Sequence, residues 1–502
     1  MVAAVSSLFW ERRGKMEGQE EKAQEGKTEV RVVPAGFIKG PWEVREMPEP
    51  PPLNLRGLFQ WAGPAVILGA LAVGGFEAYH AGYMGAKMYT GIFWLYLVSA
   101  FCQLFLNQEI ARYTIATGET VLQGFSRLGP AKTWPWVSAI FCWLNVAWPA
   151  WITGAAAGAA VVMGFGSWQA WSVVALVTVF IVFAASKYVY NTLEVIMYAS
   201  FLVANIGLAV FTIKMSTPAA AVETAKGWLS FGYFPAGITL AMIGPFLVQP
   251  AGGFWNFWHT YWVREKGMGM GKYFGRVTGL GYKPEDISRT GYIFDADDPG
   301  QLARFKKWLA LNNLTLLVFF LILGGIWFTY LVSLAGYSAK TIHHMDLPSG
   351  WKIAVVMAEI FGSAFGKLGF IFFGIIIIFA LFDTQFSVYD GVARMFSDAI
   401  FLEHPQTLGR RPYRFWYFIV LGILVVYGVL ATFLKTPYLI WLITNWVGTA
   451  AQAYVTIMVI ILNRKLLPEK IRPRGFALAV NLIWAAVLLL YFVVWTFKDR
   501  PF

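Results

Sequence analysis

Cysteine is nearly absent from this 502-residue chain, and charge is scarce. The two cysteines, Cys102 and Cys142, sit in apolar runs, which excludes a disulfide scaffold. Charged residues make up 14% of the chain, where soluble domains carry about 25%. Hydrophobic residues make up 58%, which excludes disorder of the whole chain. No metalloprotease or serine-hydrolase signature is present. Gly267, Gly269 and Gly271 alternate before Lys272, but Tyr273 follows where a phosphate loop needs Ser or Thr. Asp295, Asp297 and Asp298 open like a calcium loop, but Lys306 stands where the closing Glu belongs. His343-His344 with Asp346 reads as a solvated turn rather than a surface metal site. No nucleotide domain supports an ATP-driven pump, and no paired catalytic constellation supports an enzyme.

Aromatic residues, by contrast, are abundant at 17%, with 23 Trp, and the formal charge is +12. Basic excess can mark nucleic-acid binding, but Trp and Tyr concentrate at bilayer interfaces. Eleven apolar runs of about 20 residues follow a polar N-terminal segment, residues 1–57, which carries nine Lys/Arg against nine Glu. Their limits are 61–83, 91–111, 136–163, 169–186, 194–214, 237–260, 309–335, 353–383, 414–433, 437–462 and 476–497. The reading is a multi-pass protein of the cell membrane. With the N-terminus cytoplasmic and Arg414 counted with the loop before its span, 31 of the 40 Lys/Arg fall on inside segments, as the positive-inside rule expects. An odd number of spans then puts the C-terminus outside. The charge is a topology signal, and the expected partners are the bilayer and a small substrate, with no nucleic acid.

Two spans share an unusual pattern. The first reads Gly63-Pro64, then Gly74-Gly75-Phe76-Glu77 and His80. The sixth reads Gly244-Pro245, then Pro250, Gly252-Gly253-Phe254, Asn256 and His259. Helices interrupted at matching places in two halves mark a transporter's binding site, because unwound backbone offers carbonyls and half-helix ends to an ion. Five spans separate the two patterns, and an odd number per repeat inverts the second unit. The expected organisation is a first repeat at 58–214, a second at 215–465 that includes a hydrophilic loop at 264–306, and a final span with the C-terminus at 466–502. Gly pairs also serve close helix packing, which is the competing explanation for each pair alone.

Acids inside spans are expensive and mark function. Glu77 follows the first Gly pair and reads as a cation ligand or proton acceptor. Asn256 offers a neutral oxygen to a hard cation. His80 and His259 are proton-relay candidates. Gln249, Asp383 and Gln385 are weaker candidates. Glu109 is expected to pair with Arg112, Glu194 to lie near an interface, and Asp390, Arg394 and Asp398 to form an ion-paired helix end.

These residues carry a resemblance. The run from Gly63-Pro64 through Gly74-Gly75-Phe76-Glu77, then Arg112 and Thr117-Gly118-Glu119, resembles the Nramp family of divalent-metal transporters, in a divergent branch. Arg264-Glu265-Lys266-Gly267 and the Asp390/Arg394/Asp398 pattern extend the likeness, which spans residues 58–465. The resemblance implies an all-α, leucine-transporter-type 5+5 inverted repeat with broken helices 1 and 6, alternating access, and often proton coupling. It implies a substrate site between spans 1 and 6, at Gly74, Gly75, Glu77, Gly252, Gly253 and Asn256. The family's Asp-Pro-Gly-Asn reads Gly74-Gly75-Phe76-Glu77 here, and its Met-Pro-His falls near Gly252-Gly253-Phe254. The soft sulfur is therefore missing, which suits Mg²⁺ or Mn²⁺ better than softer metals. The family's later histidine matches His259. No cofactor is expected beyond the transported cation and protons. The alternatives are a same-fold symporter of an organic cation, amine or amino acid, held against the aromatics of span 6, and a non-transporting receptor or scaffold.

Overall fold

The computed structural model describes residues 42–498 apart from 130–132, 286, 350–352, 354 and 435–436. Most of the polar N-terminal segment therefore lies outside the described residues. Ten helices are long and apolar enough to cross a membrane. In chain order with the broken sixth they are α1 (Gly63–Ala86), α2 (Thr90–Thr117), α3 (Thr133–Met163), α4 (Trp168–Ala185), α5 (Val189–Met215), α6a (Leu240–Val248) with α6b (Phe254–Lys266), α7 (Pro299–Thr341), α8 (Val356–Glu403), α9 (Tyr413–Thr432), α10 (Pro437–Leu466) and α11 (Gly475–Lys498). Each of the eleven apolar runs corresponds to one of them.

The packing repeats with a shift of five. α1 packs on α5 and α7 as α6 packs on α10 and α2. α3 packs on α4 as α8 packs on α9, and α5 on α8 as α10 on α3. The pairs α3–α8, α4–α9 and α2–α7 map onto themselves, as pairs astride a two-fold axis must. α1 sits at the centre, with its most apolar stretch wholly buried, whereas only 22% of that stretch is buried in α4 and α11.

Three elements depart from expectation. α1 is not interrupted at Gly74-Gly75. It runs as α-helix to Phe76, widens to a π-helical turn over Glu77–Ala81, and resumes to Ala86. The glycines instead admit neighbours. A Cβ on Gly74 would meet Thr384 Oγ1 at 2.0 Å, and one on Gly75 would meet Trp151 Nε1 at 2.5 Å. A break does occur in α3, where the helix stops at Val146 and restarts at Ala150 after Pro149. α8 is broken at Gly366 (φ +59°, ψ −145°) and continues past its apolar run, which ends at 383, to Glu403, with Asp383, Asp390 and Asp398 buried within it rather than solvated.

The hydrophilic loop and the residues before α1 form one cap. β1 (Glu43–Val44) pairs in parallel with β2 (Tyr292–Ile293). Trp42 and Met47 are buried, Trp308 Nε1 donates to Pro48 O at 2.8 Å, and Arg304 pairs with Glu46 and Glu49. The part of the N-terminal segment that is described is thus docked. Gly118 ends α2 at φ +67°, where a Cβ would strike Met270 O at 2.6 Å. Next to it Glu119 accepts from Tyr113, Arg127 and Gly291 N, which fixes the cap to α2.

Candidate functional site

Glu77 opens the π-helical turn in α1, where the wider turn projects its side chain out of the regular row. Its carboxylate is 1% exposed. Oε1 accepts from Thr329 Oγ1 of α7 at 2.6 Å and from Tyr96 OH of α2 at 3.2 Å. Oε2 has no partner. Beside it lies a cavity of about 20 Å³ whose lining includes Leu208, Phe328, Met357 and Ile376. That is room for about one water. A buried carboxylate with one open oxygen is well placed to bind a proton or cation.

His80 lies one turn on, fully buried. Its Nε2 faces Met242 O of α6a at 2.9 Å, so that nitrogen carries the proton and donates. Nδ1 then accepts from Tyr438 OH of α10 at 3.1 Å. The imidazole joins α1, α6a and α10 as a neutral bridge. His259 is likewise buried, with Nε2 3.2 Å from Asn312 Oδ1 of α7.

The sixth helix breaks as expected. Pro250 cannot donate, and Gly253 takes φ +72°, ψ −129°, a conformation open only to glycine. The backbone groups freed there are taken up by α2. Ser99 Oγ, with one hydrogen to donate, lies 2.7 Å from Leu247 O and 2.8 Å from Gln249 O. Gln103 Nε2 donates to Val248 O at 2.8 Å, and its Oε1 accepts from Ala251 N at 3.0 Å. Irregular backbone survives at membrane depth only when served in this way. Asn256 follows on α6b and donates to Asn107 Oδ1 at 3.1 Å and Gln103 Oε1 at 3.3 Å, leaving its own Oδ1 open. Gln249 donates to Asn445 of α10 at 3.1 Å.

The candidates therefore do not converge on one point. Glu77 meets α2 at Tyr96, and Asn256 meets it at Gln103 and Asn107, roughly 10–16 Å further along the helix. One cation with bonds of about 2.0–2.6 Å spans no such gap. Among the described residues no three His, Cys, Asp or Glu side chains gather as a metal cluster. Gln385 serves the break in α3, accepting from Ile152 N at 3.2 Å. Asp383 is buried beside Thr384.

Sequence reasoning picked out Trp255 among the aromatics of span 6 but missed Trp151 and Trp441. Trp151 of α3, Trp255 of α6b and Trp441 of α10 are buried, and among the described residues none of their indole N–H groups has an acceptor. Trp151 and Trp441 both point Nε1 at Gly75, within 3.0 Å of the place a Cβ would occupy, and Trp151 packs edge-on against Trp255 at 4.8 Å. Gln385 Nε2 is also unsatisfied. Scattered through three spans, these tryptophans carry no spacing signal.

One end of the bundle is clamped by buried ion pairs. Arg394 of α8 binds Asp390 at 2.9 Å and Glu265 of α6b. Lys266 of α6b binds Glu194 of α5 at 2.5 Å, so Glu194 is a buried partner. Asp398 leaves the expected trio and accepts from Thr120 at 3.0 Å. Glu109 pairs with Arg112 at 2.9 Å, as its spacing predicts.

No protein-family model and no curated protein matches the chain. Solved structures do. A histidine-to-alanine variant of the Eremococcus coleocola manganese transporter superposes with a TM-score of 0.61 at 12% identity, covering 95% of this chain and 92% of that one. A glutamate-to-glutamine variant gives 0.62 at 14% identity, covering 91% and 92%. The same transporter with an aromatic bis-isothiourea compound gives 0.62 at 12%, covering 95% and 92%. These neighbours are transporters, not enzymes, and likeness at such identity speaks to the fold. The chain is a multi-pass helical membrane protein with the leucine-transporter-type inverted-repeat fold, as in that manganese transporter.

Proposed function

We propose that the protein is a cation-dependent secondary transporter working by alternating access, with Glu77 as the residue that holds the cation. The observation that carries this is the open oxygen of Glu77, buried in the central helix. A carboxylate costs about 2.5–3.5 kcal/mol or more at such depth, so an unused one is hard to retain. The fold supports a transporter, and the hard-oxygen character of Glu77 and Asn256 favours Mg²⁺ or Mn²⁺ as the cation, with proton exchange at the same carboxylate. In this conformation the two residues lie apart, so a metal bound by both requires α1 and α6b to approach during the cycle. His80 and His259 bridge neighbouring helices and are positioned to follow that motion. Uptake into proteoliposomes tests the reading. Glu77→Gln is expected to abolish cation-dependent uptake, and Mg²⁺ and Mn²⁺ uptake equal to the parent protein's would sink it.

A specific observation favours a second cargo class. Three indole N–H groups without acceptors at the centre suit a cargo with acceptor oxygens, such as an amino acid carboxylate, better than a bare cation. In that case Glu77 binds the coupling cation. Thermal shifts of the purified protein with metals, amines and amino acids separate the two cargoes.

A further inference from the structure

A second site lies away from the helix core, on the face that the basic excess assigns to the cytoplasm. Pro284, Glu285, Ile287, Ser288 and Arg289 of the loop and the turn 409–412 between α8 and α9 line a cavity of about 590 Å³. This is within the size range of small-molecule sites. Its walls carry Arg289, Arg410 and Arg411, with Glu285 the one acid among the described lining residues. Glu285 is engaged already, accepting from Arg276 N at 2.7 Å. Arg289 is held in place, donating to Gly409 O at 2.7 Å with its guanidinium 4.4 Å from the Phe401 ring centre. Arg411 lies against Phe415 at 5.7 Å. Among the described residues no carboxylate pairs with any of the three.

Three guanidinium groups around one concavity repel one another and raise the local potential for an anion. Their planar forks match phosphate oxygens two at a time. We propose that this cavity binds a phosphate-bearing anion, from either a lipid headgroup or a soluble phosphate compound. Its position just before α9, a spanning helix, is compatible with both sources. One wall is Tyr413, whose hydroxyl donates to Arg394 O at 3.1 Å, so a bound anion would sit next to the clamp between α8 and α6b.

The test uses the full chain in nanodiscs. One arm titrates pyrophosphate and ATP in neutral-lipid discs and reads binding by calorimetry. The other compares phosphatidylglycerol or phosphoinositide with phosphatidylcholine and reads retained lipid by native mass spectrometry. Binding in either arm should weaken at least about tenfold in Arg410→Gln/Arg411→Gln, two exposed positions where the fold is not at stake. The control is Lys306→Gln/Lys307→Gln, which removes equal charge elsewhere on the same face. The arm that responds names the source. No binding in either arm, or equal weakening in both double variants, overturns the proposal. Arg289→Gln should then weaken binding further, and neither double variant touches Glu77, so loss of transport and loss of anion binding are read apart.

Discussion

Replacing Gln103 with Leu tests the account of the sixth helix. The shape is nearly kept, but three contacts go at once: the donation to Val248 O, the acceptance from Ala251 N and the acceptance from Asn256 Nδ2. Ser99 Oγ also loses a donor, though it keeps its own acceptors. Two buried backbone groups are left without partners. Each unsatisfied group costs about 1–3 kcal/mol in soluble proteins, while single hydrogen bonds within membranes average about 0.6 kcal/mol. Together these bracket the loss between about 1 and 6 kcal/mol, with about 3 kcal/mol as the working figure. Chemical denaturation in a fixed detergent, followed by tryptophan fluorescence, would report it. Gln103→Glu sharpens the test. An ionised carboxylate there has no donor for Val248 O and adds a buried charge costing about 2.5–3.5 kcal/mol, so it should be no more stable than Gln103→Leu. A loss under about 0.5 kcal/mol for Gln103→Leu would refute the claim that α2 serves the freed backbone.

Two further perturbations address other parts of the molecule. Arg394→Met leaves Glu265 and Asp390 buried without their shared cation and should cost about 3–5 kcal/mol in the same assay. Adding Glu265→Gln and Asp390→Asn should recover most of it, and a triple variant no more stable than the single one would remove the clamp from the argument. Trp42→Ala should release residues 42–49 from the loop without unfolding the bundle. Trypsin cleavage at Arg45 should then quicken about tenfold or more, and unchanged cleavage would mean the docking rests elsewhere.

The eleven spans were legible because lipid demands long apolar runs. The break in α6 was legible because Pro250 and Gly253 each bar regular helix for a local reason. Gly74-Gly75 misled because the same dipeptide answers two needs. Here it admits Thr384, Trp151 and Trp441, residues up to about 370 positions away that no local pattern announces. Pro149 marks the break in α3 and was readable in principle, but the surrounding apolar run hid it. The burial of the α8 acids was not legible because buried acids and solvated acids look alike until their partners are known, and Arg394 finds Glu265 across 129 residues. Glu77 stood out as an intramembrane acid, but nothing in the sequence paired it with Tyr96 and Thr329 or set it apart from Asn256.

The side chains of α2 that serve the sixth helix bear on how the protein moves. Ser99 and Gln103 grip residues 247–251, while Gln103 and Asn107 grip α6b through Asn256. The second helix thus lies along the fracture like a splint. Flexing the sixth helix at its own break would tear several buried hydrogen bonds with no water to replace them. The gap in that helix is therefore a rigid joint rather than a hinge. The sixth helix should swing as one piece with α2, and the compliance needed to open the path falls to other places, such as the π-helical turn of α1 and the unwound step at Pro149 in α3.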